Sequence, residues 1–350
     1  MSAVSRLAKQ PLYRLPPLPT PADLLRFYRL RALKQLSQNF LLDPRICAKV
    51  VRSSGKLKGA HVIEVGPGPG CLTRPILEQG AESVVVIEKD RRFLPTLKLL
   101  ADATNNRVKV VHGDVLLQEL HNLIPPEKAE PWEGHLPNIH LIGNLPFSIS
   151  TILIVRWMKM VSERTGAWKF GRTRMTLTFQ KEVADRITCT RDNPERCRLS
   201  VLVQGYCYTK SCMEISGGSF VPPPMVNVGV VRVVPRIEPL FKQPFDIVEK
   251  VLRCLFNTKR KEIRNPIKNL VPENLRKDLV PEILKMANVD PEANTLFLDI
   301  EEFSRICDVY AKLCDEIPGF SGFDYRGNCN QRCLWNEFDA NNATQAMLSK

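Results

Sequence analysis

Four consecutive residues, Asn144-Leu145-Pro146-Phe147, carry the most specific chemistry in this 350-residue chain. They follow Ile139-His140-Leu141-Ile142-Gly143, an apolar run that reads as a short buried strand closed by Gly143. A neutral amide, a rigid proline and an aromatic at a strand end suit a planar base that carries an exocyclic amine. The Asn144 side-chain oxygen and the Leu145 backbone carbonyl can each accept a hydrogen bond from that amine, and Phe147 offers a face for stacking. Pro146 fixes the backbone that aims its neighbours. The same four residues also fit a plain strand-to-loop turn, because Asn and Pro are common turn formers. Their surroundings decide between the two.

Three other strand tips form those surroundings. His61-Val62-Ile63-Glu64-Val65 runs into Gly66-Pro67-Gly68-Pro69-Gly70, and a helix is expected from Leu72 onward. This is the first βα unit of a doubly wound α/β fold, in which ligands sit at the carboxyl ends of the strands. The glycines let a ligand approach the backbone. Cys71 stands where a dinucleotide fingerprint would place its last glycine. Glu64, in the strand, would repel a pyrophosphate, whereas the cationic amino and sulfonium groups of S-adenosylmethionine tolerate it. Ser83-Val84-Val85-Val86-Ile87 is the second strand. Glu88 ends it about 20 residues past the glycines, where a carboxylate holds both ribose hydroxyls. Lys89, Asp90 and Arg91 follow and fit ordinary helix-start charge. The third strand, from Val108, leads to Asp114, which can accept from an adenine amino group with Val115 against the ring. One such tip is a weak signal; four in succession are a strong one.

The elements around these tips are legible more coarsely. In Leu36-Ser37-Gln38-Asn39-Phe40-Leu41-Leu42-Asp43, Asp43 and Pro44 read as the cap and first residue of a helix. Gln38 and Asn39 either close over a bound cofactor or cap a turn. Met175–Gln180 is a strand feeding a helix at 181–186, Arg198–Gln204 is a helix, and Val226–Val234 is an alternating last strand. Phe220, in the stiff connector Phe220-Val221-Pro222-Pro223-Pro224, is either a second stacking face for the base or a core residue. After Pro235 the pattern turns helical, with helices near Phe245–Leu255, Pro272–Ala287 and Ile300–Glu316. The run holding Lys259, Arg260, Lys261 and Arg264 reads as a phosphate-contact patch or as a solvated charged face. The expected organisation is a leader over 1–20, an α/β domain with a helical arm over 21–235, a helical domain over 236–320 and a loosely ordered tail over 321–350.

Composition is consistent with this. An apolar fraction of 44% and a charged fraction of 25% are those of a folded chain, not a disordered one. A net charge of +13 points to a polyanionic partner, nucleic acid first. The 11 cysteines are scattered and odd in number, which reads as reduced thiols and not as a disulfide framework or a zinc site. No apolar run is long enough to span a membrane. Residues 1–20 hold Arg6, Lys9 and Arg14 and no acid, and Arg26, Arg29, Arg31 and Lys34 follow against Asp23 alone. Such a start reads as a mitochondrial transit segment, or as a retained arm that touches RNA.

With these residues assembled, the chain resembles the ribosomal RNA adenine N6,N6-dimethyltransferases, and within them the mitochondrial branch, also called mitochondrial transcription factor B. The matching stretches are Leu36–Asp43, Ile63–Gly70, Glu88–Asp90, His112–Val115, Asn144–Phe147, Met175–Arg186, Arg198–Gln204 and Phe220–Val226. The resemblance implies a Rossmann-like methyltransferase domain, a smaller all-helical C-terminal domain, and S-adenosyl-L-methionine as methyl donor, with no metal. It implies cofactor contacts at Gln38, Asn39, Leu41, Glu64, Gly66, Gly68, Glu88, Lys89, Asp114, Val115 and Asn144. The implied substrate is a pair of adjacent adenines in a hairpin loop near the 3′ end of mitochondrial small-subunit ribosomal RNA, met by a monomer in the matrix during small-subunit assembly. Three departures stand out: Phe147 where many relatives have Tyr, Cys71 at a frequent Gly position, and Thr295-Leu296 where relatives often carry Arg-Pro. The competing expectation is a transcription initiation factor that meets mitochondrial DNA and its RNA polymerase and merely retains the cofactor pocket. A third, adenine methylation of DNA, is weakened by Asn144 where such enzymes typically use Asp.

Overall fold

The computed structural model describes residues 14–191 and 193–326; the first 13 residues of the expected leader and the tail from 327 lie outside the described residues. Two compact units result. One is built from the chain up to Asp185 together with Tyr208–Ile237, the other from Arg186–Cys207 together with the chain from Glu238 on.

The first unit opens with helix α1 (Pro21–Phe27), closed at its start by a reciprocal cap: Thr20 Oγ1 accepts from the Asp23 amide, and the Asp23 carboxylate accepts from the Thr20 amide. Strand β1 (Phe40–Leu41) and helix α2 (Pro44–Ser53) follow, with the Asp43 side chain accepting from the Arg45 and Ile46 amides as the sequence predicts. Then β2 (His61–Val65), α3 (Thr73–Glu78), β3 (Ser83–Glu88), α4 (Leu94–Asp102), β4 (Val108–His112), β5 (Ile139–Gly143), α5 (Phe147–Glu163), β6 (Arg174–Gln180) and α6 (Lys181–Thr188) alternate along the chain. Helix α7 (Arg198–Tyr206), β7 (Cys207–Ile215), β8 (Phe220–Val221) and β9 (Val228–Pro235) complete this part of the sequence.

Seven strands form one sheet in the order β4-β3-β2-β5-β6-β9-β7. Strands β2 to β6 pair in parallel, and β9 runs antiparallel to β6. The parallel strands are continuous apolar runs because helices cover them: Val62, Val84, Val86 and Ile142 pack with Ile76, Leu77, Phe93 and Leu97 in one buried cluster. Each such side chain taken fully out of water contributes about 1.5–3 kcal/mol. The topology is Rossmann-like, with the reversal of strand order between β2 and β5.

Two local readings need correction. Phe220-Val221 is not a free connector: it is β8, and it pairs antiparallel with β1, Leu41 opposite Phe220 and Phe40 opposite Val221. Phe220 is 1% exposed and belongs to the same buried cluster, so it presents no face to a base. Strand β7 has no clear signal in the sequence; its residues, CYTKSCMEI, are mixed because it lies at the sheet edge.

The second unit is helical, with α8 (Phe245–Leu255), α9 (Arg276–Met286) and α10 (Ile300–Glu316) close to the predicted spans. It also takes in Arg186–Cys207, which a single break at 235 would leave in the first unit. The reason is packing. The Tyr206 ring lies 5.7 Å from Phe241 and 6.0 Å from Phe245, and the buried Arg196 guanidinium donates to the carbonyls of Leu296 and Leu298. Among the described residues no helix is long and apolar enough to cross a membrane.

Candidate active site

Register brings the strand tips together. Val65 lies between Ile87 and Gly143 on the neighbouring strands, and Glu88 lies beside His112. Gly66, Glu88, Asp114 and Asn144 therefore converge at the carboxyl edge where the strand order reverses, the place where open α/β sheets bind ligands. A cavity of about 930 Å³, counting its part open to solvent, lies there, a size suited to a nucleoside-sized ligand.

Most of the expected residues line it. Gln38 and Asn39 come from the arm before α2, and Gly66 and Gly68 from the turn after β2. Glu88 with Lys89 and Asp114 with Val115 supply the next two tips, and Asn144, Leu145, Pro146 and Phe147 supply the fourth. Leu41 and Glu64 do not line the cavity. Leu41 is 1% exposed in β1, where its carbonyl accepts from Cys47 Sγ. Glu64 is 1% exposed behind the glycine turn, and its Oε2 has no hydrogen-bond partner. Burial pushes the Glu64 carboxyl up to about 8, so it is a neutral acid at physiological pH until a positive charge reaches it.

Backbone geometry favours glycine at two of these positions. Gly66 and Gly68 have φ of +68° and +54°. A Cβ at Gly68 would also meet the Phe40 ring at 3.1 Å. The Gly68 amide donates to Glu88 Oε2 (2.9 Å), and the Asp90 amide donates to Glu88 Oε1 (2.7 Å). Both carboxylate oxygens are thus fixed by the backbone, and each keeps a second lone pair for a hydroxyl. Burial raises the Glu88 pKa against these two bonds. Replacing Gly68 with alanine should therefore cost about 1–2 kcal/mol of strain and weaken S-adenosylmethionine binding measured by calorimetry, through the shifted Phe40 and Glu88.

Asp114 accepts from Lys89 Nζ (2.8 Å) and, through its other oxygen, from the Leu116 amide (2.9 Å). Burial opposes its charge, but these bonds outweigh it and hold the pKa below the usual carboxylate value. Asp114 is thus a fixed anionic acceptor. The cavity matches the demands of S-adenosylmethionine on this chain's own residues: oriented carboxyl acceptors at Glu88 and Asp114, a glycine cradle that a Cβ would fill, and behind it a buried acid whose Oε2 has no hydrogen-bond partner.

Asn144 sits between two elements. Its Nδ2 donates to the Asn39 carbonyl (2.9 Å), and its Oδ1 accepts from Thr178 Oγ1 (2.8 Å). Thr178 is fully buried in β6; it alternates with Thr176 in an apolar strand, so neither its type nor its spacing sets it apart in the sequence. From the sequence, Asp90 is helix-start charge at the end of the family-like stretch Glu88–Asp90, with no partner indicated. It accepts from Gln38 Nε2 (2.9 Å) and pairs with Arg92 (2.6 Å), and these bonds hold its pKa low against burial.

In the second unit the basic run is divided. Lys259 Nζ donates to the Pro194 and Arg196 carbonyls, and Arg264 pairs with Glu262 (2.6 Å). Arg260 and Lys261 are exposed. Their backbone carbonyls accept from Asn294 Nδ2 and Thr295 Oγ1. Thr295 and Leu296 are buried, so they shape that loop from below and do not face a ligand. The sequence reading missed a shallow cleft of about 780 Å³, counting open solvent, whose wall carries Arg186, Arg198, Arg253 and Arg326 beside Phe256. Glu249 offsets part of that charge, 2.7 Å from Arg198.

Comparison with known proteins agrees with this geometry. A family model described as ribosomal RNA adenine dimethylase matches residues 29–305. A Xenopus laevis protein named "Dimethyladenosine transferase 1, mitochondrial" is 46% identical over 95% of this chain and 96% of its own length. The Homo sapiens protein of the same name is 45% identical over 93% of this chain and 94% of its own length. Among solved structures, a dimethyladenosine transferase from Plasmodium falciparum superposes with a TM-score of 0.61 at 24% identity, covering 81% of this chain and 98% of that one. The 23S rRNA methyltransferase ErmE superposes with a TM-score of 0.54 at 23% identity, over 78% of this chain and all of that one. These two likenesses bear on the fold.

Proposed function

The chain belongs to the ribosomal RNA adenine dimethylase family, and from that premise we propose that it dimethylates N6 of two adjacent adenines in a hairpin loop near the 3′ end of mitochondrial small-subunit ribosomal RNA, in support of ribosome assembly in the matrix. The observation that carries this reading is the presence of Asn144, Leu145, Pro146 and Phe147 on the wall of the cavity that Gly66, Glu88 and Asp114 also line. The relatives' printed names, which include "mitochondrial", support the compartment.

S-adenosylmethionine supplies a methyl group already activated on a sulfonium. The chain's own work is to hold and aim the acceptor. The adenine amine is a poor nucleophile because its lone pair is delocalised into the ring. Asn144 Oδ1 and the Leu145 carbonyl accept its two hydrogens, draw it toward a pyramidal shape and direct the lone pair into the cavity. Phe147 stacks on the base once it leaves the loop. As N6 takes the methyl group from the sulfonium, leaving a neutral thioether, it sheds one proton to solvent; the one N–H that remains can be held by one of the two acceptors for a second round. Purified protein, S-adenosylmethionine and the hairpin RNA should yield N6,N6-dimethyladenosine by mass spectrometry; absence of any methylated adenine would refute the reading.

In the second unit we assign Arg260 and Lys261 to phosphate contact, with the arginine-lined cleft as a further candidate surface. Replacing both residues by glutamine should weaken RNA binding across sequences and lower the slope of log K against log salt by about 1.4–1.8, with S-adenosylmethionine affinity unchanged. An unaltered salt slope would remove these two residues from the RNA interface.

A further inference from the structure

We propose that Thr178 is a positioning residue for methyl transfer: its hydroxyl, acting with the Asn39 carbonyl that selects the amide orientation, anchors the Asn144 oxygen where it meets the adenine amine. The inference rests on the methyl-transfer reading above and adds a requirement to it. An amide oxygen and an amide nitrogen have nearly the same shape, but only the oxygen can accept from the adenine amine. A flipped Asn144 would set one donor against another.

One contact selects the orientation and a second anchors it. The Asn39 carbonyl can only accept, so it selects the Nδ2 end at 2.9 Å. The Thr178 hydroxyl then donates to Oδ1 at 2.8 Å. That bond uses one oxygen lone pair and leaves the second for substrate. Both partners are held rigidly. Thr178 is fully buried and lies in the ladder of β6, opposite Val230 of β9, while its neighbour Leu177 is opposite Gly143 of β5. Asn39 follows Gln38, whose Oε1 accepts from the Leu33 amide and whose Nε2 donates to Asp90 (both 2.9 Å). The arm over the cavity and the acceptor for the base are therefore linked, by a hydrogen bond between Asp90 and Gln38, through the Gln38–Asn39 peptide, and by hydrogen bonds that join Asn39 to Asn144 and Asn144 to Thr178.

The test compares Thr178→Val, which nearly keeps the shape and removes the hydroxyl, with Thr178→Ser, which keeps the hydroxyl. Thr178→Val should lower the single-turnover rate of methyl transfer roughly 10- to 100-fold, the scale of a misaimed catalytic group. Its dissociation constants for S-adenosylmethionine and for the RNA hairpin, measured separately by calorimetry, should stay within about twofold of wild type, because the hydroxyl acts on neither ligand directly. Thr178→Ser should recover most of the rate. A purely structural role would instead lower the melting temperature and both affinities together and would overturn the proposal, as would a wild-type rate in Thr178→Val or a loss that serine does not restore. If the valine variant does not fold, Thr178→Cys, with its weaker S–H donor, takes its place and should give a rate between those of wild type and the proposed loss. Wild-type protein that transfers no methyl group would refute the function itself; active wild type with an equally active valine variant would refute only the role of Thr178.

Discussion

Replacing Asn144 with alanine is expected to abolish dimethyladenosine formation, with a fall in rate of roughly 10³-fold or more, while the protein remains folded. Asn144 is the point at which three functions meet. In the proposed mechanism its oxygen accepts from the substrate amine; in the structure its nitrogen donates to the Asn39 carbonyl, and its place just after β5, beside β2, brings it to the cavity. Alanine removes the acceptor and also releases the arm. The cost to folding is small, because Asn144 is only half-buried and a typical hydrogen bond contributes about 1 kcal/mol. Cofactor affinity should fall far less than the rate, since Glu88 and Asp114 are held by bonds that do not involve Asn144. Rate measured by methyl incorporation, alongside calorimetric cofactor binding, separates the two. Near-normal turnover in this variant would leave the mechanism without its acceptor.

Glu64→Gln is expected to give the largest change in how stability depends on pH. Burial, with a smaller push from the charge of Glu88, raises the Glu64 carboxyl from 4.5 to about 8 in the folded protein. The unfolded chain gives up this proton near 4.5, whereas the folded chain keeps it to about 8. Across that window the folded state binds more protons, so a rise in pH favours unfolding. The group costs nothing below the unfolded value, and its cost grows as pH rises toward 8, to at most about 5 kcal/mol. Glutamine stays neutral throughout. Denaturant unfolding of the ligand-free protein at pH 5, 6.5 and 8 should show wild type losing stability relative to Glu64→Gln at each step. Parallel curves for the two proteins would mean that Glu64 is already ionised in the folded state.

The features visible in the sequence are those whose physics is local. A β-branched run followed by a polar tip identifies β2, β3 and β5 by itself, and the parallel register then carries Gly66, Glu88 and Asn144 to one edge. Asp43 with Pro44 announces α2 because a cap is made with amides two and three residues away. The features that were not visible depend on partners distant in the chain. Gln38 finds Asp90 across 52 residues, and Thr178 finds Asn144 across 34. Neither threonine nor aspartate announces such a partner by type or spacing. Phe220 fitted two roles equally until its pairing with Leu41 placed it in the core. Lys259 reads as a phosphate contact or as part of a solvated charged face, yet its Nζ donates to two carbonyls of the same unit. Segment 186–207 reads as a continuation of the α/β domain, and its distant contacts, Tyr206 with Phe241 and Phe245 and Arg196 with the Leu296 and Leu298 carbonyls, assign it to the helical unit.

Cells depleted of this protein, then resupplied with either the wild-type chain or Asn144→Ala, offer the most direct decision through mass spectrometry of their mitochondrial small-subunit ribosomal RNA. The adenine clamp predicts that the paired dimethyladenosines disappear on depletion, return with wild type and stay absent with the alanine variant. Fully modified RNA in depleted cells, accompanied by failed initiation at mitochondrial promoters, would contradict it and identify the protein as a transcription factor.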